Sequence, residues 1–90
     1  MTPAAMPPVP PPAYHVRFFA VLREQAGVSS LDLVSSARIP AELYAELQSS
    51  RGLSFPASLL RVAVNDRYTT MDQPLRAGDR VVFIPPVAGG

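Results

Sequence analysis

The residues with the most distinctive chemical arrangement close the chain: Pro85-Pro86-Val87-Ala88-Gly89-Gly90, directly after the apolar run Val81-Val82-Phe83-Ile84. The reactive group there is the α-carboxylate of Gly90. Two consecutive glycines lack Cβ atoms and adopt backbone conformations closed to other residues, so such an end can thread a narrow channel and meet a reagent unhindered. Pro85 and Pro86 hold the approach extended, because proline locks its own φ and steers the preceding residue away from helix. The ordinary alternative is a frayed terminus. The abrupt step from a hydrophobic run to this ending favours a group that is presented.

Other reactive chemistry is scarce. The chain has no cysteine, which removes disulfides, thiolate metal sites, a catalytic thiol and a side-chain persulfide together. Any sulfur carried by the protein must ride on the backbone. All 8 basic residues are arginines, so no lysine is present for a Schiff base, a P-loop or an isopeptide bond to a second copy. His15 is the only histidine, and no serine lies in a nucleophile elbow. It reads as a histidine at the start of a strand. Asp72 and Asp79 fall in turns around Leu75, where short carboxylates cap backbone amides, and no metal site is expected. Gly27 and Gly78 are isolated, so there is no glycine-rich phosphate cradle.

Ninety residues of which 48% are apolar argue for one small domain with a real core. A chain of this size buries only ~60% of its unfolded surface, so its stability is modest. The net charge of +1 comes from arginines interleaved with carboxylates. No basic stripe of the kind that nucleic acids select is present. No stretch approaches the ~20 apolar residues that cross a bilayer, and the first residues lack the pattern of a secretory signal. The expected location is the cytoplasm, with neither nucleic acid nor membrane as a partner.

These groups must be positioned by a fold, and its elements are legible in the hydrophobic periodicity. Residues 1–13 hold 6 of the 11 prolines and no charge, the composition of a disordered leader that builds no core. Residues 14–90 form the domain. From Tyr14, the set Val16, Phe18, Ala20 and Leu22 alternates with Arg17, Phe19, Val21 and Arg23, which predicts one strand with a buried face. Residues 25–28 supply a turn, and Ser30 to Val34 returns as the second arm of a hairpin. A helix is predicted from Ile39 to Gln48, with Pro40 at its first position, Gly52 beyond its end, and Ile39, Leu43 and Leu47 facing the sheet. Leu60 to Val64, the Asn65-Asp66 turn and Arg67 to Thr70 predict a second hairpin, and Arg80 to Ile84 the last strand. One helix crossing between two hairpins covers one sheet face and leaves the other open, a two-layer α+β architecture.

That open face carries the second functional expectation. Phe19 and Val21 fall out of phase with Phe18 and Ala20, and Ile84 falls out of phase with Val81 and Phe83, while Tyr68 can join them. An apolar patch beside the exiting tail implies a partner surface.

Three stretches bring a family into view: Val16-Arg17-Phe18-Phe19-Ala20-Val21-Leu22-Arg23-Glu24-Gln25-Ala26-Gly27, Val62-Ala63-Val64-Asn65, and the run from Pro74 to the terminal Phe83-Ile84-Pro85-Pro86-Val87-Ala88-Gly89-Gly90. Over about residues 15–90 the chain resembles the MoaD/ThiS family of ubiquitin-like sulfur carriers, which includes the small subunits of molybdopterin synthase. The resemblance implies a β-grasp fold, a mixed sheet with one main helix on one face. It implies that Gly90 is adenylated with ATP by a MoeB-like enzyme, converted to a thiocarboxylate with sulfur from a donor, and inserted through Pro85, Pro86, Val87, Ala88 and Gly89 into a MoaE-like large subunit. There the sulfur passes to a pterin precursor of the molybdenum cofactor. Phe19, Tyr68 and Ile84 match positions that contact the large subunit, in an assembly of two small and two large subunits. The carrier binds no cofactor and is not an enzyme alone. A carrier for thiamine or tRNA thiolation, a protein modifier joined through Gly90, and a plain interaction module are the alternatives. The proline-rich leader and residues 35–58 depart from the family pattern.

Overall fold

Each of the five runs read as strand contains one in the computed structural model of the chain, which describes residues 12–86, although the first run forms a strand only in its first half. In chain order the elements are β1 (Ala13–Phe18), α1 (Val21–Ala26), β2 (Ser30–Val34), α2 (Pro40–Arg51), a 3₁₀ turn (Ala57–Leu59), β3 (Arg61–Val64), β4 (Arg67–Thr69) and β5 (Arg80–Ile84). Most of the proline-rich leader and residues 87–90 lie outside the described residues. Ala13, placed in the leader by its composition, pairs with Val34 and opens β1.

The strands make one sheet in the order β2-β1-β5-β3-β4. The β1–β2 and β3–β4 hairpins are antiparallel as expected, and β5 inserts between them, parallel to β1 and antiparallel to β3. This is the mixed sheet of the β-grasp. The last strand is therefore its innermost, with backbone partners on both sides.

Registers sort the side chains onto two faces, because directly paired residues share a face. Tyr14, Val16 and Phe18 of β1 align with Val81 and Phe83 of β5 and Val62 of β3, and all are 1% exposed or less. α2 lies over them with Leu43, Tyr44 and Leu47 fully buried. Pro40 occupies its first turn, Glu42 accepts a hydrogen bond from the Arg38 N–H (2.8 Å), and Gly52 ends it in the left-handed region at φ 70°. The helix runs three residues beyond the predicted end, to Arg51, and Ile39 is a half-buried cap residue rather than a sheet-facing one. Tyr44 fills that role, its ring 5.1 Å from Phe83 and its hydroxyl donating to the Phe55 carbonyl (2.8 Å). Each large apolar side chain buried here contributes ~1.5–3 kcal/mol.

One element differs in kind from the sequence expectation. The first strand stops at Phe18, and residues 21–26 are helical rather than strand. Leu22 and Ala26 lie one helical turn apart and are both buried, and Gly27 closes the turn at φ 79°, donating its N–H to the Arg23 carbonyl (3.0 Å). Over so few residues an i, i+2 pattern and an i, i+4 pattern both fit, and the Gly27 cap decides between them. Consequently Ala20 is exposed rather than core-facing, and Val21 packs against the core instead of lying on the open face.

Candidate functional site: the open sheet face and the chain exit

The alternation within β5 builds the site. Val81 and Phe83 are fully buried beneath α2, whereas Val82 and Ile84 point to the uncovered side and are only half-buried. Beyond them Pro85 is buried and Pro86, the last described residue, is exposed. The end of β5 is held on both flanks, by Phe18 of β1 opposite Phe83 and by Arg61 of β3 opposite Ile84.

Ile84, Pro85 and Pro86 form one wall of an apolar groove of about 690 Å³ that Phe19, Ala20, Val21 and Phe55 complete. Ala20 forms its corner with φ 52° and ψ −127°, a region that an L side chain enters at a cost of ~1–3 kcal/mol. The conformation turns β1 into α1, and the Leu22 N–H closes the turn on the Phe19 carbonyl (3.1 Å). Phe19 is thereby turned outward at 43% exposure. The sequence reading placed it outward by strand phase; the turn places it there instead.

Reading across the open face by register, Arg17 of β1 stands beside Val82, Val82 beside Ala63, and Ala63 beside Tyr68 of the edge strand β4. Tyr68 is 73% exposed, the most exposed of the large apolar side chains among the described residues. One step nearer the exit come Ile84 and Arg61. Phe19, Tyr68 and Ile84 thus border one continuous strip with Val82 and Ala63. Sequence reasoning named the first three and missed Val82, Ala63 and Phe55. The period-2 signal was available for Val82, but nothing in the sequence announces that the Phe55 loop reaches the exit.

Charges are arranged along the strand axis. At the end remote from the exit, His15 Nδ1 contacts Asp32 Oδ1 at 2.5 Å and Arg80 donates to Asp66 at 2.7 Å. Asn65 and Asp66 form the tight β3–β4 turn, both at positive φ. The Asn65 amide bridges to Asp79 (2.9 Å) and accepts from the Arg80 N–H (2.9 Å). Asp79 also caps the Arg76 N–H (2.8 Å), as expected, whereas Asp72 accepts from the Thr70 hydroxyl (2.5 Å) rather than from a backbone amide. His15 has a carboxylate neighbour but no serine beside it in the register, where Asp32 and Arg80 flank it. Among the described residues no three His, Asp or Glu side chains converge as metal ligands. The phenols of Tyr14 and Tyr44 are raised above the ordinary tyrosine value of 10.0 by burial, with the carboxylates of Asp79 and Glu42 adding to the effect at Tyr14. The Tyr14 hydroxyl donates to the Ala37 carbonyl at 2.6 Å, a structural tie beneath the helix layer. No helix among the described residues is long and apolar enough to cross a membrane.

Comparison with known proteins bears on this geometry directly. The family model described as the ThiS family matches residues 16–90, from the second half of β1 through the terminal glycines. The chain belongs to the ThiS family. Among curated ThiS-type relatives it is similar to the molybdopterin synthase sulfur carrier subunit of Escherichia coli, 36% identical over 78 residues that cover 83% of this chain and 96% of that one. The corresponding subunit of Haemophilus influenzae is 32% identical over 79 residues, covering 84% and 98%. Among solved structures, SAMP1 of Haloferax volcanii superposes with a TM-score of 0.71 over 87% of this chain and 99% of that one; at 20% identity it speaks for the fold alone. The complex of subunits 1 and 2 of the molybdopterin-converting factor of Helicobacter pylori contains a chain that superposes with a TM-score of 0.60 at 30% identity, covering 87% and 99%. The fold is the ubiquitin-like β-grasp, and this member of the ThiS family is homologous to the small subunit of molybdopterin synthase.

Proposed function

We propose that this chain is the sulfur-carrying small subunit of a molybdopterin synthase. The observation that carries the reading is the placement of β5. The strand that leads toward the terminal glycines is the innermost of the sheet, and it ends beside an apolar strip that no element among the described residues covers. Carboxylates are poor electrophiles. In the proposed sequence a MoeB-like enzyme joins the Gly90 carboxylate to the α-phosphate of ATP, with pyrophosphate leaving. Sulfur at the sulfide level then displaces AMP, and the thiocarboxylate is a much softer nucleophile than the carboxylate it replaces. The tail, Pro85 to Gly89, enters a MoaE-like large subunit, and Phe19, Tyr68 and Ile84 seat the body against it, two small with two large subunits. The sulfur is delivered to a pterin precursor. The carrier works in the cytoplasm as a handle, without a cofactor of its own, and the catalysis belongs to its partners.

A chain without cysteine or lysine suits this role, because no side chain of a neighbouring copy competes for the activated acyl group as a thiol or ε-amine. Incubation with a MoeB-like enzyme, ATP and a sulfur donor is expected to exchange one oxygen for sulfur at Gly90, read by intact-protein and fragment mass spectrometry. Removal of Gly89 and Gly90 is expected to abolish both the exchange and pterin thiolation while leaving the melting temperature unchanged. Unmodified protein under conditions that load a control carrier would overturn the proposal.

A further inference from the structure

The open face is asymmetric in charge in a way that the apolar strip does not explain. Registers place six ionisable side chains on it: Asp32, His15, Arg17, Arg80, Arg61 and, at the turn, Asp66. Four of these are paired at the end away from the chain exit, Asp32 with His15 and Asp66 with Arg80. Arg17 and Arg61, nearer the exit, are exposed and make no ion pair among the described residues. They flank the strip on opposite sides. Arg17 lies two strands from Ala63, and Arg61 two residues beyond Ala63, so their Cα atoms are about 12 Å apart from strand spacing and rise. Arg17 is also held in place, its guanidinium 5.6 Å from the centre of the Phe19 ring. A guanidinium stacked on an aromatic loses less freedom when it is bound, which is one reason arginine recurs among the residues that dominate interfaces.

We propose that Arg17 and Arg61 are specificity residues for the protein partner, and that its complementary surface presents an apolar ridge between two carboxylates spaced to meet them. This rests on the carrier reading above and adds to it the chemistry of the large subunit's docking face. The arrangement gives docking a polarity. The unpaired arginines of this face stand at the exit end, whereas the far end carries the Asp32 and Asp66 carboxylates, one in contact with His15 and one paired with Arg80, so an acidic partner is drawn to the end from which the tail departs. A reversed approach would set those acids beside Asp32 and Asp66. Electrostatic complementarity of this kind acts mainly on encounter and register, which is what insertion of a narrow tail demands.

The test uses the full chain and the MoaE-like large subunit of the same organism, with association followed by surface plasmon resonance at low and high salt. Arg17→Glu/Arg61→Glu is expected to weaken binding at low salt on the order of 100-fold, mostly through a slower association rate, and to flatten or reverse the salt dependence. The charge-matched control Arg38→Glu/Arg51→Glu, on exposed residues at the two ends of α2 and so on the covered side of the sheet, is expected to change binding less than about 3-fold. Arg17→Gln/Arg61→Gln, which adds no negative charge, guards against misfolding and is expected to cost on the order of 10-fold. Equal effects of the two reversed pairs would show a net-charge effect and overturn the inference, as would unchanged binding by Arg17→Glu/Arg61→Glu. Either result with the unaltered chain still bound leaves the carrier reading standing. If the unaltered chain does not bind the large subunit, both fall.

Discussion

The two faces of one sheet follow different rules in this protein. Under α2, the side chains of β1, β3 and β5 are close-packed: Val16, Val62, Val81 and Phe83 are 1% exposed or less. On the opposite face the neighbours of the same residues, Arg17, Val82, Ile84 and Tyr68, are half-buried or exposed. Both faces are rich in apolar atoms, so hydrophobicity does not separate them. What differs is the presence of a covering layer. A face that is apolar, uncovered and next to the chain exit is stable only as far as its neighbours on the covered side hold it, and its apolar surface is available for association. Stability therefore belongs to the covered face, and the open face is left for the recognition proposed above.

Substitutions along single strands probe that division. The largest effect is expected at Phe83→Ala, which removes a fully buried ring from the centre of the core and should cost ~3–5 kcal/mol in denaturant unfolding. A loss below about 1 kcal/mol would mean that the covered face is not the stabilising one. Tyr68→Ala, on the open face, is expected to leave stability within ~0.5 kcal/mol yet weaken the large subunit's binding by ~2 kcal/mol, since exposed aromatic anchors dominate such interfaces. A calorimetric titration beside a melt separates the two, and a destabilised but fully binding Tyr68→Ala protein would merge the faces again. The smallest effect is expected at Ala20→Gly. Glycine relieves the positive φ at 52° but gains freedom in the unfolded chain, and the net expectation is a gain of about 1 kcal/mol. A loss of stability there would show that the corner between the two faces is not strained.

Much of this was readable from residue order. The alternation in Leu60 to Val64 and of Val81 and Phe83 with Ile84 identified strands and a buried face together, because a side-chain period of two leaves little choice once one face is buried. Pro40 and Gly52 marked α2 at both ends. The failure at Val21–Ala26 is equally instructive: Val16, Phe18, Ala20 and Leu22 alternate without a break, yet the chain turns at Ala20. Local periodicity over four residues cannot weigh the backbone strain at that corner against the burial of Leu22 and Ala26, which is gained only once the core exists. Tertiary packing overrode the local pattern there.

By itself the order of residues excluded thiol and ε-amine chemistry, since the chain has no cysteine or lysine, and it marked the strand runs, whose period is a local property of the backbone. Only the tertiary structure decided that β5 lies innermost between β1 and β3, that Phe55 joins Phe19 at the exit, and that Arg17 and Arg61 straddle one strip while Asp32 and Asp66 are already paired. The β1–β5 pairing, from His15 with Arg80 to Phe18 with Phe83, joins residues far apart in the chain, and such contacts depend on which strands pair, a choice governed by the burial of the whole core rather than by any segment's own preference.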